Sequence, residues 1–208
     1  MPIRTPRAGK QRLLAKLVDS EREAVARALI DDAFDLMQGC PELGWLVVSD
    51  DEDVLERAVS SGHLPVRDAG NDLNAALASA LRKAGEEGAE GALILPADLP
   101  MATPHDVALI METAATSEIV IVPSGGDGGT NGLYLSPVDA LAPAFGAASL
   151  TAHIADAEAL KLRATVLPLE RLAIDLDSPE DIERLLERAE TNEGHTMRLL
   201  RSIAATDA

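Results

Sequence analysis

Cysteine and aromatic residues are scarce in this chain of 208 residues. Cys40 is the only cysteine, so the chain can form no internal disulfide and carries no cysteine metal cluster. Aromatic residues make up 2 % of the sequence, although apolar residues make up 47 %. We therefore expect a core of alanine, leucine, valine and isoleucine. The chain also lacks the aromatic platforms on which single-stranded nucleic acids stack.

Positive charge is scarce as well, because the formal net charge is −17. Such a surface repels nucleic acids and anionic membranes, so an anionic substrate would need a local cationic pocket or a metal ion. No apolar run approaches the length of a membrane-spanning helix, and no apolar segment typical of a secretory signal follows the basic N-terminal residues. We predict a cytoplasmic protein without nucleic-acid or membrane partners.

Short apolar runs alternate with segments of helical periodicity. This alternation predicts βαβ units and an α/β fold with a mostly parallel sheet. Ser20, Thr103, Ser149 and Ser178 are candidate caps at the beginnings of helices. Strands are predicted at 45–48, 64–67, 92–95, 118–123, 133–135, 163–167 and 172–176.

The chain is predicted to form one domain over residues 1–190, followed by a C-terminal tail over residues 191–208. Met197, Leu200 and Ile203 give the tail a weak helical pattern. Two interpretations fit this pattern. The tail is either frayed or an oligomer contact, in which case the chain would form a homodimer.

Asp98 follows the apolar run 92–95, and Pro96 and Pro100 enclose the turn around it. A short apolar run without alternation predicts a strand that is buried on both faces. Open α/β sheets bind their ligands at the carboxyl ends of such strands. Asp98 is therefore a candidate metal ligand, and the alternative is an acid that merely caps a turn.

Asp175 and Asp177 form a second acidic candidate. Residues two apart on a strand point to the same side, so both carboxylates could bind one cation. Together with Asp98 they would form a three-carboxylate site that suits magnesium or manganese rather than a soft metal. The alternative is that Asp177 and Asp181 interact with the positive N-terminus of the next helix.

Three further features could bind an anion. The glycine-rich segment 125–132 offers backbone N–H groups, although it is neither a Walker A loop nor a Gly-x-Gly-x-x-Gly fingerprint that opens a helix, and a plain turn is the alternative. Ser149 is either a phosphate site or an ordinary cap. Lys10 and Arg12 are either a clamp on a polyphosphate or part of a solvated basic segment. His153 is predicted to be a packing or capping residue rather than a base.

Six segments, in order along the chain, resemble the phospholactate/phosphoenolpyruvate guanylyltransferases of coenzyme F-420 biosynthesis. That family belongs to the nucleotidyltransferase superfamily, and the resemblance implies a three-layer α/β sandwich of the glycosyltransferase-A-like type. Each segment alone is a weak signal, whereas six in order are specific. The segments are 2–4 with 9–13, 70–77, 96–100, 128–133, 145–149 with His153, and 175–181.

The resemblance implies a role for the charged residues that match the family's motifs. Asp98, Asp175 and Asp177 would bind Mg²⁺. Lys10 and Arg12 would be the catalytic cations, which bind the phosphates of GTP.

The resemblance also implies roles for matching polar residues and glycines. Asn74 would lie near the nucleotide. The remaining members of this set would bind the phosphorylated acceptor acid or lie beside it, and they are Thr130, Asn131, Gly146 and Ser149.

The implied reaction joins GTP to phosphoenolpyruvate, 2-phospho-L-lactate or 3-phospho-D-glycerate and releases diphosphate. One alternative is a molybdopterin- or sugar-phosphate-type nucleotidyltransferase, and another is a non-catalytic regulator that binds nucleotides. Arg4 and Gly132 depart from the lysine and alanine usual in the family. The family's first strand, which precedes the segment 2–4, is missing, and we hypothesise that the true start lies upstream of Met1.

Overall fold

The computed structural model describes residues 1–4, 10–68, 72–126, 128–188 and 194–206. Gly9, Gly70, Asn71 and Asp127, which belong to predicted motifs, lie outside these residues. No helix of the described ranges has the length and apolar character that crossing a membrane requires. The strands are β1 (Leu46–Ser49), β2 (Leu64–Arg67), β3 (Ala92–Ile94), β4 (Ile119–Pro123), β5 (Thr130–Leu135) and β6 (Ala164–Val166). The α-helices are α1 (Asp19–Gln38), α2 (Glu52–Ser60), α3 (Leu73–Glu86), α4 (Pro104–Ala114), α5 (Ser149–Ala159), α6 (Pro179–Arg188) and α7 (His195–Thr206). Two short 3₁₀ helices span Gln11–Ala15 and Glu170–Leu172.

The strands form a parallel pair, β1 with β2, and a four-stranded sheet in the order β3-β5-β4-β6. β4 is parallel to β6, whereas β5 is antiparallel to both β3 and β4. Within the described part of the four-stranded sheet, β5 alone therefore opposes the other strands. Its direction follows from the short connection 124–129, because a parallel neighbour would need a crossover of about a dozen residues or more. The predicted α/β class with a mostly parallel sheet is confirmed.

Residues 1–3 lie alongside β1. The Ile3 N–H donates to the Val48 carbonyl at 2.8 Å, and the Val48 N–H donates to the Met1 carbonyl at 3.0 Å. Met1 and Ile3 are buried in the largest apolar cluster, which also includes residues of α1 and α4. The hypothesis of an upstream start stays a prediction.

The helix beginnings follow the predicted chemistry only in part. Thr103 caps α4 as predicted, and its Oγ1 accepts a hydrogen bond from the Asp106 N–H at 3.4 Å. The predicted cap Ser20 is wrong, because α1 begins at Asp19 and its N-cap is Val18. The Glu21 carboxylate accepts from the Val18 N–H at 3.0 Å, so a carboxylate satisfies the amide that precedes the helix.

The segment 172–176 is not a strand, so that prediction is wrong. Leu172 ends a 3₁₀ helix, and Ile174 and Leu176 are buried in an irregular segment. The alternation of apolar and acidic residues thus reflects burial on one side of the chain and not pairing in a sheet. The backbone N–H of Leu176 donates to the Asp98 carbonyl at 2.9 Å, so this segment lies against the turn that follows β3.

The C-terminal stretch 195–206 is a packed helix, so the interpretation of a frayed tail is wrong. Met197 and Leu200 are buried among apolar side chains of α1 and α6. The N–H of Thr196 donates to an Asp32 carboxylate oxygen at 2.9 Å, which ties the beginning of α7 to α1. The predicted domain boundary at residue 190 lies outside the described residues and stays a prediction.

We expect Met197→Ala to lower the free energy of unfolding by about 2–4 kcal/mol, because it removes a buried side chain and leaves a cavity. Urea denaturation followed by circular dichroism measures this loss. Ser202→Ala, on an exposed position of the same helix, is the matched control and should stay within about 0.5 kcal/mol of the parent. Equal effects of the two substitutions would show that α7 does not pack in solution.

Candidate active site

Three carboxylates converge beyond the carboxyl end of β3. One oxygen each of Asp98, Asp175 and Asp177 lies within 4.8 Å of the other two, and all three residues are half-buried. Asp98 comes from the turn after β3, and the other two come from the irregular segment that is bonded to that turn through Leu176. The structure thus brings together the residues predicted from the sequence, although Asp175 and Asp177 are not on a strand.

Lys10 lies against this acidic cluster. Its Nζ donates to Asp98 Oδ2 at 2.9 Å and to Asp177 Oδ1 at 2.7 Å. Only 13 % of the lysine side chain is exposed. Burial by itself lowers the pKa of Lys10, but Asp98 and Asp177 outweigh it and raise that pKa above its usual value. The ammonium is therefore charged and neutralises part of the cluster.

Asp175 is the member of the acidic cluster that is not among the carboxylates bonded to Lys10, which are Asp98 and Asp177. Burial, followed by the nearby charges of Asp98 and Asp177, raises the pKa of Asp175. Asn131 donates from Nδ2 to the Leu172 carbonyl at 2.8 Å and, at 3.4 Å, to Asp175 Oδ1. Asn131, predicted to bind substrate, therefore also orients one member of the acidic cluster.

The chemistry of the cluster fits a divalent cation. Carboxylate oxygens are the ligands that magnesium and manganese prefer, and three of them converge here. Burial, and then the neighbouring charges of Asp98 and Asp177, raise the pKa of Asp175, and a bound cation would favour its ionised form. Asp98, Asp175 and Asp177 are thus the residues that could bind a metal ion.

A cleft of about 540 Å³ extends from the acidic cluster across the sheet. Its volume is in the range of about 300–1,000 Å³ that is typical of small-ligand sites. The exposed side chain of Arg12 lines it together with Lys10. The predicted acceptor-binding residues also line it, and they are Thr130, Asn131, Gly146 and Ser149.

Ser149 begins α5 and lies at the wall of this cleft. It is the first helical residue, and the N-cap is Ala148 with a φ of 58°, so the prediction that Ser149 caps the helix is wrong. Only 1 % of Ser149 is exposed, and its Oγ has no hydrogen-bond partner within the described residues. A buried hydroxyl without a partner is costly, and at a helix N-terminus an anionic oxygen would satisfy it.

The side chain of Asn74 makes two hydrogen bonds to the backbone of Phe145, which the sequence did not reveal. Its Nδ2 donates to the Phe145 carbonyl at 3.0 Å, and its Oδ1 accepts from the Phe145 N–H at 2.8 Å. Both ends of the amide therefore bind the segment before Gly146, whose φ of 136° favours glycine. The predicted position of Asn74 near the nucleotide stays a prediction.

His153 is packed behind the cleft, as predicted, and it also bonds to a candidate site residue. It is fully buried, and its Nδ1 lies 3.1 Å from Thr130 Oγ1. The sequence held one signal that His153 lies near the acceptor residues. It follows Ser149 by four residues, so the two side chains share one face of α5.

The comparisons with known proteins agree with one another. Residues 1–206 match a family described as "Guanylyl transferase CofC like". A phosphoenolpyruvate guanylyltransferase of Rubrobacter xylanophilus is 38 % identical over 89 % of this chain and 91 % of its own length. A 2-phospho-L-lactate guanylyltransferase of Methanothermobacter thermautotrophicus is 32 % identical over 99 % of this chain and 90 % of its own length. A 3-phospho-D-glycerate guanylyltransferase of Phenylobacterium zucineum is 33 % identical over 87 % of this chain and 85 % of its own length.

Solved structures share the fold at low sequence identity. A nucleotide-diphospho-sugar transferase structure from Desulfovibrio desulfuricans G20 has a TM-score of 0.79 at 18 % identity and covers 98 % of this chain and 93 % of that chain. The molybdopterin-guanine dinucleotide biosynthesis protein A of Archaeoglobus fulgidus has a TM-score of 0.50 at 17 % identity and covers 90 % of this chain and 97 % of that chain. The predicted glycosyltransferase-A-like nucleotidyltransferase fold is confirmed.

Without a metal ion, we expect Lys10→Met to lower the free energy of unfolding by about 1–2 kcal/mol, because the half-buried carboxylates lose their cation. Excess Mg²⁺ should narrow this difference, since the ion would neutralise the same oxygens. Thermal or urea unfolding in a chelator and in Mg²⁺ measures both values.

Lys16→Met is the control, because Lys16 pairs with Glu183 at an exposed position. Its effect should be small and independent of magnesium. A Lys10→Met loss of equal size in both buffers would show that these carboxylates do not bind the ion.

Proposed function

The chain belongs to the guanylyl transferase CofC like family of nucleotidyltransferases, and from that premise we propose that it transfers the guanylyl group of GTP to a small phospho-acid. Diphosphate is released, and the reaction fits the biosynthesis of coenzyme F-420. One observation carries the proposal: a single cleft is lined by the acidic cluster with Lys10 and by Ser149, whose buried hydroxyl has no hydrogen-bond partner among the described residues. Such a cleft offers carboxylates to a metal ion that accompanies the triphosphate, an ammonium to the phosphates, and a hydrogen-bond donor to an anionic acceptor.

The acceptor is a phosphorylated three-carbon acid. The relative with 38 % identity is named for phosphoenolpyruvate, which favours this acid over 2-phospho-L-lactate and 3-phospho-D-glycerate. All three acids present a carboxylate and a phosphate, both of which accept hydrogen bonds. The hydroxyls of Thr130 and Ser149 are donors of the kind that such oxygens require.

In the proposed reaction, a phosphate oxygen of the acceptor attacks the α-phosphorus of GTP in line. The new P–O bond forms as the bond from the α-phosphorus to the leaving oxygen breaks, and diphosphate takes the electron pair. A phosphate dianion is an adequate nucleophile, so no protein base is needed. Catalysis then rests on positioning and on charge stabilisation.

Asp98, Asp175 and Asp177 are proposed to bind a divalent metal ion, with Mg²⁺ as the natural choice for oxygen ligands. The metal would neutralise charge on the phosphate oxygens of the substrates. Lys10 and Arg12 are proposed to bind the phosphates of GTP. Thr130, Gly146 and Ser149 are proposed to bind the acceptor, while Asn131 orients Asp175. A cytoplasmic location and a homodimer stay predictions.

Diphosphate release from GTP tests the function. Phosphoenolpyruvate, 2-phospho-L-lactate and 3-phospho-D-glycerate are supplied in parallel, with ATP as the control nucleotide and a chelator as the control for the metal. We expect magnesium-dependent release with GTP and at least one of these acids. Intact metal binding without release from any acceptor would instead favour a non-catalytic nucleotide-binding regulator. Release with a molybdopterin or sugar phosphate alone would favour the other nucleotidyltransferase class.

Asp98→Ala should remove about 3 kcal/mol or more of transition-state stabilisation, equivalent to about a few hundredfold in rate. The reason is the loss of a carboxylate from the proposed metal site. Steady-state diphosphate release at saturating Mg²⁺ measures the change. Asp139→Ala, at an exposed position away from the cleft residues, is the control and should retain the parent rate. Near-parent turnover of Asp98→Ala would refute the assignment.

A further inference from the structure

His153 joins two parts of the acceptor side of the cleft. It projects from α5 and is fully buried. Its ring meets the ring of Phe145 edge to face, with 5.4 Å between the centroids and 70° between the planes. Its two nitrogens bond to different elements, Nδ1 to Thr130 on β5 and Nε2 to the backbone of Ala144.

The contact with Ala144 determines where the ring carries its proton. The Ala144 N–H lies 3.1 Å from Nε2, and a backbone N–H can only donate. Nε2 must therefore be bare. Burial lowers the pKa of His153 in spite of the nearby charge of Asp156, so the ring is neutral near pH 7. The single ring proton is then on Nδ1.

The ring proton in turn determines the direction of the Thr130 hydroxyl. Nδ1–H donates to Thr130 Oγ1 across 3.1 Å, so the hydroxyl hydrogen must point elsewhere. No other side chain in the described ranges is bonded to Thr130 Oγ1, and Thr130 lines the cleft. The hydroxyl therefore presents a hydrogen-bond donor to the cleft. Ser149, one helical turn before His153, lines the same cleft, and its hydroxyl has no hydrogen-bond partner in the part of the chain that the structure describes.

We infer that His153 is a positioning residue that fixes the Thr130 hydroxyl as a hydrogen-bond donor toward an anionic oxygen of the acceptor acid. This inference rests on the proposed function, because that function supplies the acceptor. A hydroxyl already oriented as a donor favours a carboxylate or phosphate oxygen and disfavours a group that itself donates. His153 therefore contributes to acceptor selectivity without touching the acceptor.

The protonation of the ring is measured directly on the free protein. In ¹⁵N-labelled protein, long-range ¹H–¹⁵N correlation spectra distinguish the protonated from the bare ring nitrogen of each histidine. Loss of one set of signals in His153→Gln assigns His153, and His105→Gln, at an exposed position, is the matched control. We expect Nδ1 protonated and Nε2 bare. The opposite tautomer would overturn the inference.

Two substitutions separate the contacts of the ring. In His153→Gln, the side-chain carbonyl can take the place of Nε2 and accept from the Ala144 N–H, but no donor stands at the position of Nδ1. In His153→Asn, the shorter side-chain amide can take the place of Nδ1 and donate to Thr130, but it does not reach Ala144. Folding of both variants is checked by thermal unfolding.

We expect His153→Gln to raise the KM for phosphoenolpyruvate by about tenfold to a hundredfold, the usual worth of a hydrogen bond to a charged group. The KM for GTP should stay unchanged, and His153→Asn should be closer to the parent. Thr130→Val should raise the acceptor KM similarly and add little in the His153→Gln background, whereas Thr130→Ser, which keeps the hydroxyl, should raise the acceptor KM less than Thr130→Val does.

Equal acceptor KM values for His153→Gln and His153→Asn, or a parallel rise of the KM for GTP, would show a merely structural role. If phosphoenolpyruvate is inactive, the same comparison is made with whichever of the other two acids releases diphosphate. If the parent protein released no diphosphate with any of the three acids, the proposed function would be refuted. The tautomer of His153 would still be measured, because its NMR spectra are recorded on the free protein.

Discussion

The repulsion between three carboxylates within 4.8 Å of one another is the constraint on which the site depends. Like charges at this distance destabilise one another, and the ammonium of Lys10 offsets part of this repulsion because it bonds to Asp98 and Asp177. This contact joins the segment before α1 to the turn after β3 and to the segment before α6. Chain segments far apart in sequence are therefore connected through charge, and the same three carboxylates could hold a metal ion.

The other side of the cleft has the opposite character. Backbone and neutral polar groups are arranged there by buried contacts, among them the amide of Asn74 on Phe145 and the ring of His153 on Ala144. Thr130 and Ser149, whose hydroxyls are proposed to bind the acceptor, line the cleft on this side. In the proposed function, a protein with a net charge of −17 would accommodate anionic substrates without a large basic surface. Local hydrogen-bond donors and a cation bound by the carboxylates would take the place of such a surface.

Much of the fold was predictable because buried apolar runs and cap residues are local signals. The strand at 64–67 was predicted at its observed bounds, and the Thr103 cap was correct. The errors arose where tertiary contacts override local chemistry. Burial of Ile174 and Leu176 resembles a strand pattern, although the segment pairs with no strand in the described residues. Met197 and Leu200 gave only a weak pattern, yet α1 and α6 cover them.

The chemical types present at the site can be read directly from the sequence: carboxylates at 98, 175 and 177, cations at 10 and 12, and hydroxyls at 130 and 149. The resemblance of six ordered segments to the family's motifs indicated the family, and the match over residues 1–206 confirms it. Which atoms meet depends on the tertiary structure, because hydrogen bonds between distant residues leave no periodic trace in a sequence. The pairing of Lys10 with two aspartates and of His153 with Thr130 and Ala144 is of this kind. Such contacts depend on how packed helices and strands align side chains from separate segments, and that alignment sets the direction in which each donor points.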